Sequence, residues 1–197
     1  MKDINNTQYF IYVGNAYPHK NLKRLIQAMV LLNTNYRRPV TLKIVSARNN
    51  FTQRLEKLIN EFKASKFIEL LGFVDDANLG SLMRNSIGFV FPSLSEGFGL
   101  PGLEAMKSGT LLLSSEISVF KEIYKDHAIY FNQLDFSSIE RTMRNAFEMP
   151  KEIRKKIIED GQEFVKRYSW DKMAKETLNI YEKVYKEEGG NSLRQSK

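Results

Sequence analysis

The chain has 197 residues, 42% of them hydrophobic and none of them cysteine, with 30 Lys+Arg against 23 Asp+Glu for a formal charge of +7. That length and apolar content suit one sizeable core better than two small ones, and the missing cysteines exclude disulfides, thiolate catalysis and zinc-thiolate sites while fitting a reducing cytoplasm. The positive charge favours anionic company, whether nucleotide phosphates, nucleic acid or an acidic membrane face, without choosing among them.

From the N-terminus, Met1-Lys2-Asp3-Ile4-Asn5-Asn6-Thr7-Gln8 lacks the apolar stretch of a signal peptide. No window approaches the ~18 uncharged apolar residues of a membrane span, so no transmembrane segment is expected. Short runs rich in β-branched and aromatic residues predict strands at Tyr9–Val13, Val40–Ser46, Phe67–Leu71, Gly88–Pro92, Thr110–Ser114 and Ala128–Phe131. After the first of these, Leu22, Leu25, Ile26, Met29 and Leu32 recur at three- and four-residue steps and form one buried helical stripe. Further helices are expected around Thr52–Lys63, Ala77–Arg84, Pro101–Lys107, Phe136–Phe147, Lys151–Arg167 and Trp170–Tyr185, the last restarted by Ser169 as its N-cap. The basic run Lys151, Arg154, Lys155 and Lys156 reads as a solvated helix face.

The alternation of strands and helices is that of βα units. The expected fold is therefore α/β, a Rossmann-like three-layer sandwich with a central parallel sheet of about six strands and a helical C-terminal appendix. No repeat or low-complexity linker marks an internal boundary, so one nucleotide-binding domain is expected over residues 1–186, with the polar, glycine-bearing stretch 187–197 as a flexible tail.

Open parallel sheets bind ligands beyond the carboxyl ends of their strands, which directs attention to the loops after the first and fourth strands. The first loop runs Val13-Gly14-Asn15-Ala16-Tyr17-Pro18-His19-Lys20-Asn21, where Gly14 permits a tight turn or close backbone approach and Lys20 stands at the start of the next helix. A phosphate suits that place, because a helix N-terminus offers unpaired N–H groups and partial positive charge and the lysine adds a full one. Taken alone, the loop is equally a plain turn followed by a solvated lysine. The three-glycine dinucleotide fingerprint and the Gly-Lys-Ser/Thr phosphate loop are both missing, which weakens NAD and ATPase readings.

The fourth strand leads into Pro92-Ser93-Leu94-Ser95-Glu96-Gly97-Phe98-Gly99-Leu100-Pro101-Gly102-Leu103-Glu104-Ala105-Met106-Lys107-Ser108-Gly109. Pro101 suits the first turn of a helix and Gly109 its end. Gly97 and Gly99 let backbone N–H groups approach an anion in front of that helix, as a departing diphosphate requires. Glu96 precedes the loop, and Glu104 is expected in the first helical turn. Singly, each glutamate is explained as a loop acceptor or a helix-dipole complement; together they accept sugar and ribose hydroxyls well.

This spacing of Glu96 and Glu104 around Gly97-Phe98-Gly99-Leu100-Pro101-Gly102-Leu103 resembles the paired-glutamate motif of the family 4 retaining glycosyltransferases. The Lys20-Asn21 turn, Leu70-Leu71-Gly72-Phe73-Val74, Pro92-Ser93, the Glu122 region and Tyr168-Ser169-Trp170 fall in the family's order, so the resemblance covers most of the chain. It implies the donor-binding, C-terminal one of two Rossmann-like domains facing across a cleft. Lys20 would bind the donor phosphates, with Gly14 letting its loop approach them. Glu96 would accept hydroxyls of the transferred sugar, the N–H groups of Phe98, Gly99 and Leu100 would contact sugar and phosphate, Glu104 would accept the ribose hydroxyls, and Phe73-Val74 would line the base. No metal or other cofactor would be needed. Asn15, one of the expected donor-binding residues, stands where the family often has a second phosphate-binding arginine, so that either leaving-group stabilisation is weaker or Arg48 substitutes.

The implied activity is transfer of a mannose- or glucose-type hexose from a nucleoside-diphosphate sugar to a glycan or lipid-linked acceptor in surface polysaccharide synthesis such as lipopolysaccharide or capsule. Such an enzyme needs about twice this length, so the acceptor is expected to be held by an N-terminal domain or partner chain. A nucleotide-sugar-binding module inactive without that half is the second expectation, and a sugar-nucleotide epimerase of the same architecture the third. No interleaved basic and aromatic face supports nucleic-acid binding. The expected location is the cytoplasm, at the inner face of the membrane.

Overall fold

The computed structural model describes residues 8–34, 36 and 39–192, the last five of these by their backbone alone. Residues 1–7 of the N-terminal stretch and residues 193–197 of the expected tail lie outside the described residues. Among the described residues six strands, β1 (Tyr9–Val13), β2 (Thr41–Val45), β3 (Ile68–Gly72), β4 (Gly88–Phe91), β5 (Leu112–Ser115) and β6 (Ile129–Phe131), form one sheet in the order β3-β2-β1-β4-β5-β6. Every neighbouring pair is parallel. The fold is thus the α/β, Rossmann-like architecture expected from the sequence.

β1 lies in the middle of this sheet because Tyr9, Phe10, Ile11 and Tyr12 are all buried, apolar on both faces as a central parallel strand must be. It aligns Tyr9 with Thr41 and Val13 with Val45 on β2, and Phe10 with Gly88 on β4. The helices are α1 (Leu22–Thr34), α2 (Asn50–Glu61), α3 (Asp76–Arg84), α4 (Leu100–Lys107), α5 (Ser118–Tyr124), α6 (Phe136–Glu148), α7 (Lys151–Val165) and α8 (Trp170–Ser192). Right-handed crossovers place them. The chain moves one way from β1 to β3 and the other way from β3 to β6, so α1 and α2 cover one face, where α6 joins them, and α3 packs with α4 on the other. Leu22, Leu25, Ile26, Met29 and Leu32 of α1 are all buried, against Phe10, Tyr12, Leu42 and Ile44 of the sheet and Ile139 and Met143 of α6.

Where the structure departs from expectation, the reasons are local. α5 was not foreseen, since seven residues with Phe120 and Tyr124 as the buried pair are too short to display a period. Arg154 is not solvated with its basic neighbours: it is half-buried and donates to the carbonyls of Ile87 and Ala146, tying α7 to the start of β4 and the end of α6. The described chain divides into two compact units between Glu163 and Phe164, where the sequence marks no boundary. Within the second unit α8 begins after Ser169, whose hydroxyl accepts the Lys172 N–H at 3.4 Å, and runs to Ser192, into the stretch read as a tail.

Asp75 caps α3, its carboxylate accepting the backbone N–H of Asn78 at 3.0 Å and the Asn78 side-chain amide at 2.8 Å. These bonds, the backbone one foremost, hold its carboxyl below the usual range. A depressed folded-state value means that the cap's contribution is present above the unfolded carboxylate's pKa and is lost as pH falls through the folded one. Asp75→Ala is therefore expected to lower Tm at neutral pH, and thermal melts taken stepwise to acid should show its gap from wild type closing; a gap independent of pH removes the charged cap as its cause.

Candidate donor-binding site

The sheet order reverses direction between β1 and β4, the switch point at which such sheets usually form their ligand crevice. Lys20 follows β1 and Glu96 follows β4, and in the fold they meet. The Lys20 ammonium donates to Glu96 Oε1 in an ion pair whose side chains are each only 13% exposed. The same carboxylate oxygen accepts the hydroxyl of Ser93, wholly buried at the strand end, at 2.7 Å. Glu96 is thereby fixed from the protein side, while the ammonium also lies 5.8 Å from the centre of the Phe91 ring.

The loops that carry this pair are stitched together by main-chain chemistry. Pro18–Lys20 form a single 3-10 turn, so Lys20 closes that turn and α1 starts only at Leu22. Between them Asn21 sits in the left-handed region at φ 58, which asparagine tolerates better than most residues. Its buried amide donates to the Pro92 carbonyl at 3.0 Å and the Gln133 carbonyl at 2.8 Å, joining the loops after β1, β4 and β6. The Leu94 N–H donates to the His19 carbonyl at 2.7 Å and completes the clamp. Gly14, at φ 146, donates its N–H to Val45, and a side chain there would come within 2.9 Å of the Tyr12 hydroxyl. That hydroxyl donates to the Asn15 carbonyl at 2.7 Å; burial, and then the charge of Glu96, push its pKa up.

Past Glu96, Gly97 and Phe98 are exposed and Gly99 turns inward in the left-handed region at φ 98, serving as the N-cap of α4. Leu100 is already helical, so Pro101 is the second helical residue, and Glu104 falls in the second turn rather than the expected first. Its side chain is exposed on the outer side of α4. Phe73 is 83% exposed just after Gly72, with Val74 half-buried beside it. Arg48 borders a small crevice beyond the ends of β2 and β3, lined also by Ser46, Thr52, Glu56, Leu70 and Gly72. The Ser46 hydroxyl there is buried and, among the described residues, has no hydrogen-bond partner.

The structure brings together Lys20 and Glu96, and it sets Gly99 and Leu100 at the mouth of α4. Ser93 and Asn21 were not singled out in the sequence as parts of the site. Their signal was a polar residue directly after an apolar strand and an asparagine directly before an amphipathic helix, both too common to stand out. Chemically, the arrangement offers a cation, Lys20, and an anchored carboxylate, Glu96, in the loop that leads into the N-terminus of α4, which suits a ligand carrying both phosphate charge and hydroxyl donors.

A family model described as glycosyl transferases group 1 matches residues 2–164. Over 165 residues the chain is 30% identical to the O-antigen chain mannosyltransferase RfbU of Salmonella typhimurium, covering 84% of this chain and 44% of that protein. It is also 30% identical over 173 residues to O-antigen chain mannosyltransferase B of Escherichia coli, covering 88% of this chain and 45% of the relative. The chain thus spans less than half the length of these relatives. In fold it is similar to a sucrose-phosphate synthase from Thermosynechococcus elongatus, at TM-score 0.81 and 20% identity over 91% of this chain and 46% of the other. A glycosyltransferase from Rickettsia africae gives TM-score 0.79 at 20% identity, over 92% and 49%. With its reversed-order parallel sheet, its Lys20–Glu96 crevice and a family match over most of its length, this chain belongs to the group 1 glycosyl transferases.

Proposed function

We propose that the chain is the donor-binding, C-terminal half of a family 4 retaining glycosyltransferase, which moves a mannose- or glucose-type hexose from a nucleoside-diphosphate sugar to a glycan acceptor. The observation that carries this reading is the meeting of Lys20 with a Ser93-anchored Glu96 in the crevice between β1 and β4, in front of the N-terminus of α4. In the reaction the bond from the anomeric carbon to the diphosphate oxygen breaks and its electron pair leaves with the phosphate, while the acceptor hydroxyl oxygen bonds to that carbon and its proton passes to the departing phosphate oxygen. Lys20 and the first N–H groups of α4 stabilise that developing charge, which is where electrostatic catalysis contributes most. Glu96 exchanges its contact with Lys20 for hydroxyls of the sugar, Glu104 accepts the ribose hydroxyls, the Phe73-Val74 turn lines the base, and Arg48 serves as a second phosphate-binding cation. Lys20 and the helix end do the work of a divalent ion, so no metal or other cofactor enters.

The relatives named for O-antigen synthesis support a role in cell-surface polysaccharide assembly. In this reading the chain acts in the cytoplasm at the inner face of the membrane, where a lipid-linked acceptor is presented. Among the described residues no helix is long and apolar enough to cross a membrane. The acceptor is bound by an N-terminal domain or partner chain. Calorimetric titration with GDP, UDP, ADP and their sugar nucleotides, without metal, is expected to show saturable binding of one base; absence of binding by every one of them sinks the reading.

A second reading, a nucleotide-sugar-binding module silent on its own, is favoured by the chain's covering 44% and 45% of its relatives. Incubation with the bound sugar nucleotide separates the two. A transferase half that carries its own catalytic groups in Lys20 and Glu96 releases nucleoside diphosphate slowly by transfer to water, whereas the module holds the donor intact until the other half is supplied.

A further inference from the structure

Tyr124, the last residue of α5, is completely buried and lies 25 residues from the glycine loop, yet its hydroxyl donates to the Gly99 carbonyl at 2.5 Å. It belongs to an aromatic column that begins at β4. Phe91 stacks on Phe120 with ring centres 4.7 Å apart, and Phe120 on Tyr124 at 5.0 Å. The loop closes directly upon this column: a side-chain carbon at Gly99 would sit 2.1 Å from the Tyr124 hydroxyl, and one at Gly102 would sit 2.4 Å from it. Both positions are glycine where the tyrosine needs the room.

The consequence follows from peptide planarity. In a trans peptide the carbonyl of one residue and the N–H of the next point in opposite directions from a single rigid plane. Holding the Gly99 carbonyl inward on Tyr124 therefore turns the Leu100 N–H outward, and at the first helical position that N–H has no acceptor within the helix. We propose that Tyr124 is a positioning residue of the donor site: by gripping the Gly99 carbonyl it aims the Leu100 N–H at an anionic oxygen of the nucleotide. The assignment rests on the donor-site reading above and extends it to a residue that never touches the ligand. The same column runs beneath the Phe91 ring that faces the Lys20 ammonium, so one packed unit supports both phosphate-binding elements.

Tyr124→Phe tests this, because it keeps the ring in its place and removes only the donor. The Gly99 carbonyl retains the Gly102 N–H at 3.0 Å, so the loop keeps a bond and the fold is preserved. Tyr9→Phe is the matched control: it too deletes a tyrosine bond to a main-chain carbonyl, that of Leu82 at 2.8 Å, but at the amino end of β1, away from the site. With GDP, UDP and ADP as probes on the whole chain, Tyr124→Phe is expected to weaken binding of the nucleotide that binds by about five- to tenfold while Tyr9→Phe leaves it unchanged, the difference expected for one lost or misdirected hydrogen bond. In 15N-correlated NMR spectra at saturation, the Leu100 amide is expected to move downfield in wild type, and this displacement should shrink in Tyr124→Phe alone. Wild-type affinity in Tyr124→Phe, or an equal loss in Tyr9→Phe, overturns the assignment while leaving the donor site standing. Binding of none of the three nucleotides by wild type overturns the donor site and this assignment with it.

Discussion

Lys20→Ala is expected to weaken nucleoside-diphosphate binding by about 10- to 100-fold, since a charge-assisted hydrogen bond to a phosphate contributes about 1.5–3 kcal/mol. Two effects act in the same direction. The cation is lost, and Glu96 remains, held at the crevice by Ser93 with its negative charge no longer offset. That second effect gives the prediction a sign test. Glu96→Gln removes the carboxylate that competes for Lys20, so GDP or UDP without sugar should bind at least as tightly as to wild type, while the extra affinity conferred by the sugar falls. The double variant should then recover part of what Lys20→Ala loses, a coupling expected of groups in direct contact. Titration calorimetry of the four proteins, each checked for its fold by circular dichroism, measures the whole cycle. Unchanged affinity in Lys20→Ala removes the lysine from the site.

Gly99→Ala should be the most damaging single methyl in the loop. Its added carbon would meet the Tyr124 hydroxyl at 2.1 Å and the Phe120 ring at 2.8 Å, with a backbone φ of 98 that L side chains rarely adopt. Neither aromatic can yield, because both are fully buried in the column described above. Overpacking of a tight core costs about 1–3 kcal/mol, and the left-handed conformation about 1–2 kcal/mol more. A stability loss of about 3 kcal/mol is therefore expected by urea unfolding, with loss of nucleotide binding. Gly97→Ala, two residues earlier, meets nothing within 4 Å and should stay within about 0.5 kcal/mol of wild type. Equal stability of the two variants would mean that the loop does not close on Tyr124.

The sequence shows the order of strands and helices because each rests on a local period. The stripe of Leu22, Leu25, Ile26, Met29 and Leu32 is spaced for one helix face whatever surrounds it, and all five residues are buried. Gly97, Gly99 and Pro101 marked the loop before α4 for the same reason, since backbone conformation is dictated residue by residue. Glu104, expected in the first turn, falls in the second because the helix begins one residue earlier, at Leu100 and not Pro101, which depends on how Gly99 packs.

What a sequence determines by itself, then, is which segments repeat with which period and which residues carry charge or conformational freedom: the α/β class, the glycine loop, and Lys20 and Glu96 as candidates. Only the tertiary structure decided their partners. Lys20 and Glu96 are 76 residues apart, Asn21 reaches Gln133 across 112, and Tyr124 reaches Gly99 across 25. Such pairings depend on the order in which parallel strands assemble and on which polar groups burial leaves facing each other, and neither has a spacing along the chain from which to read it.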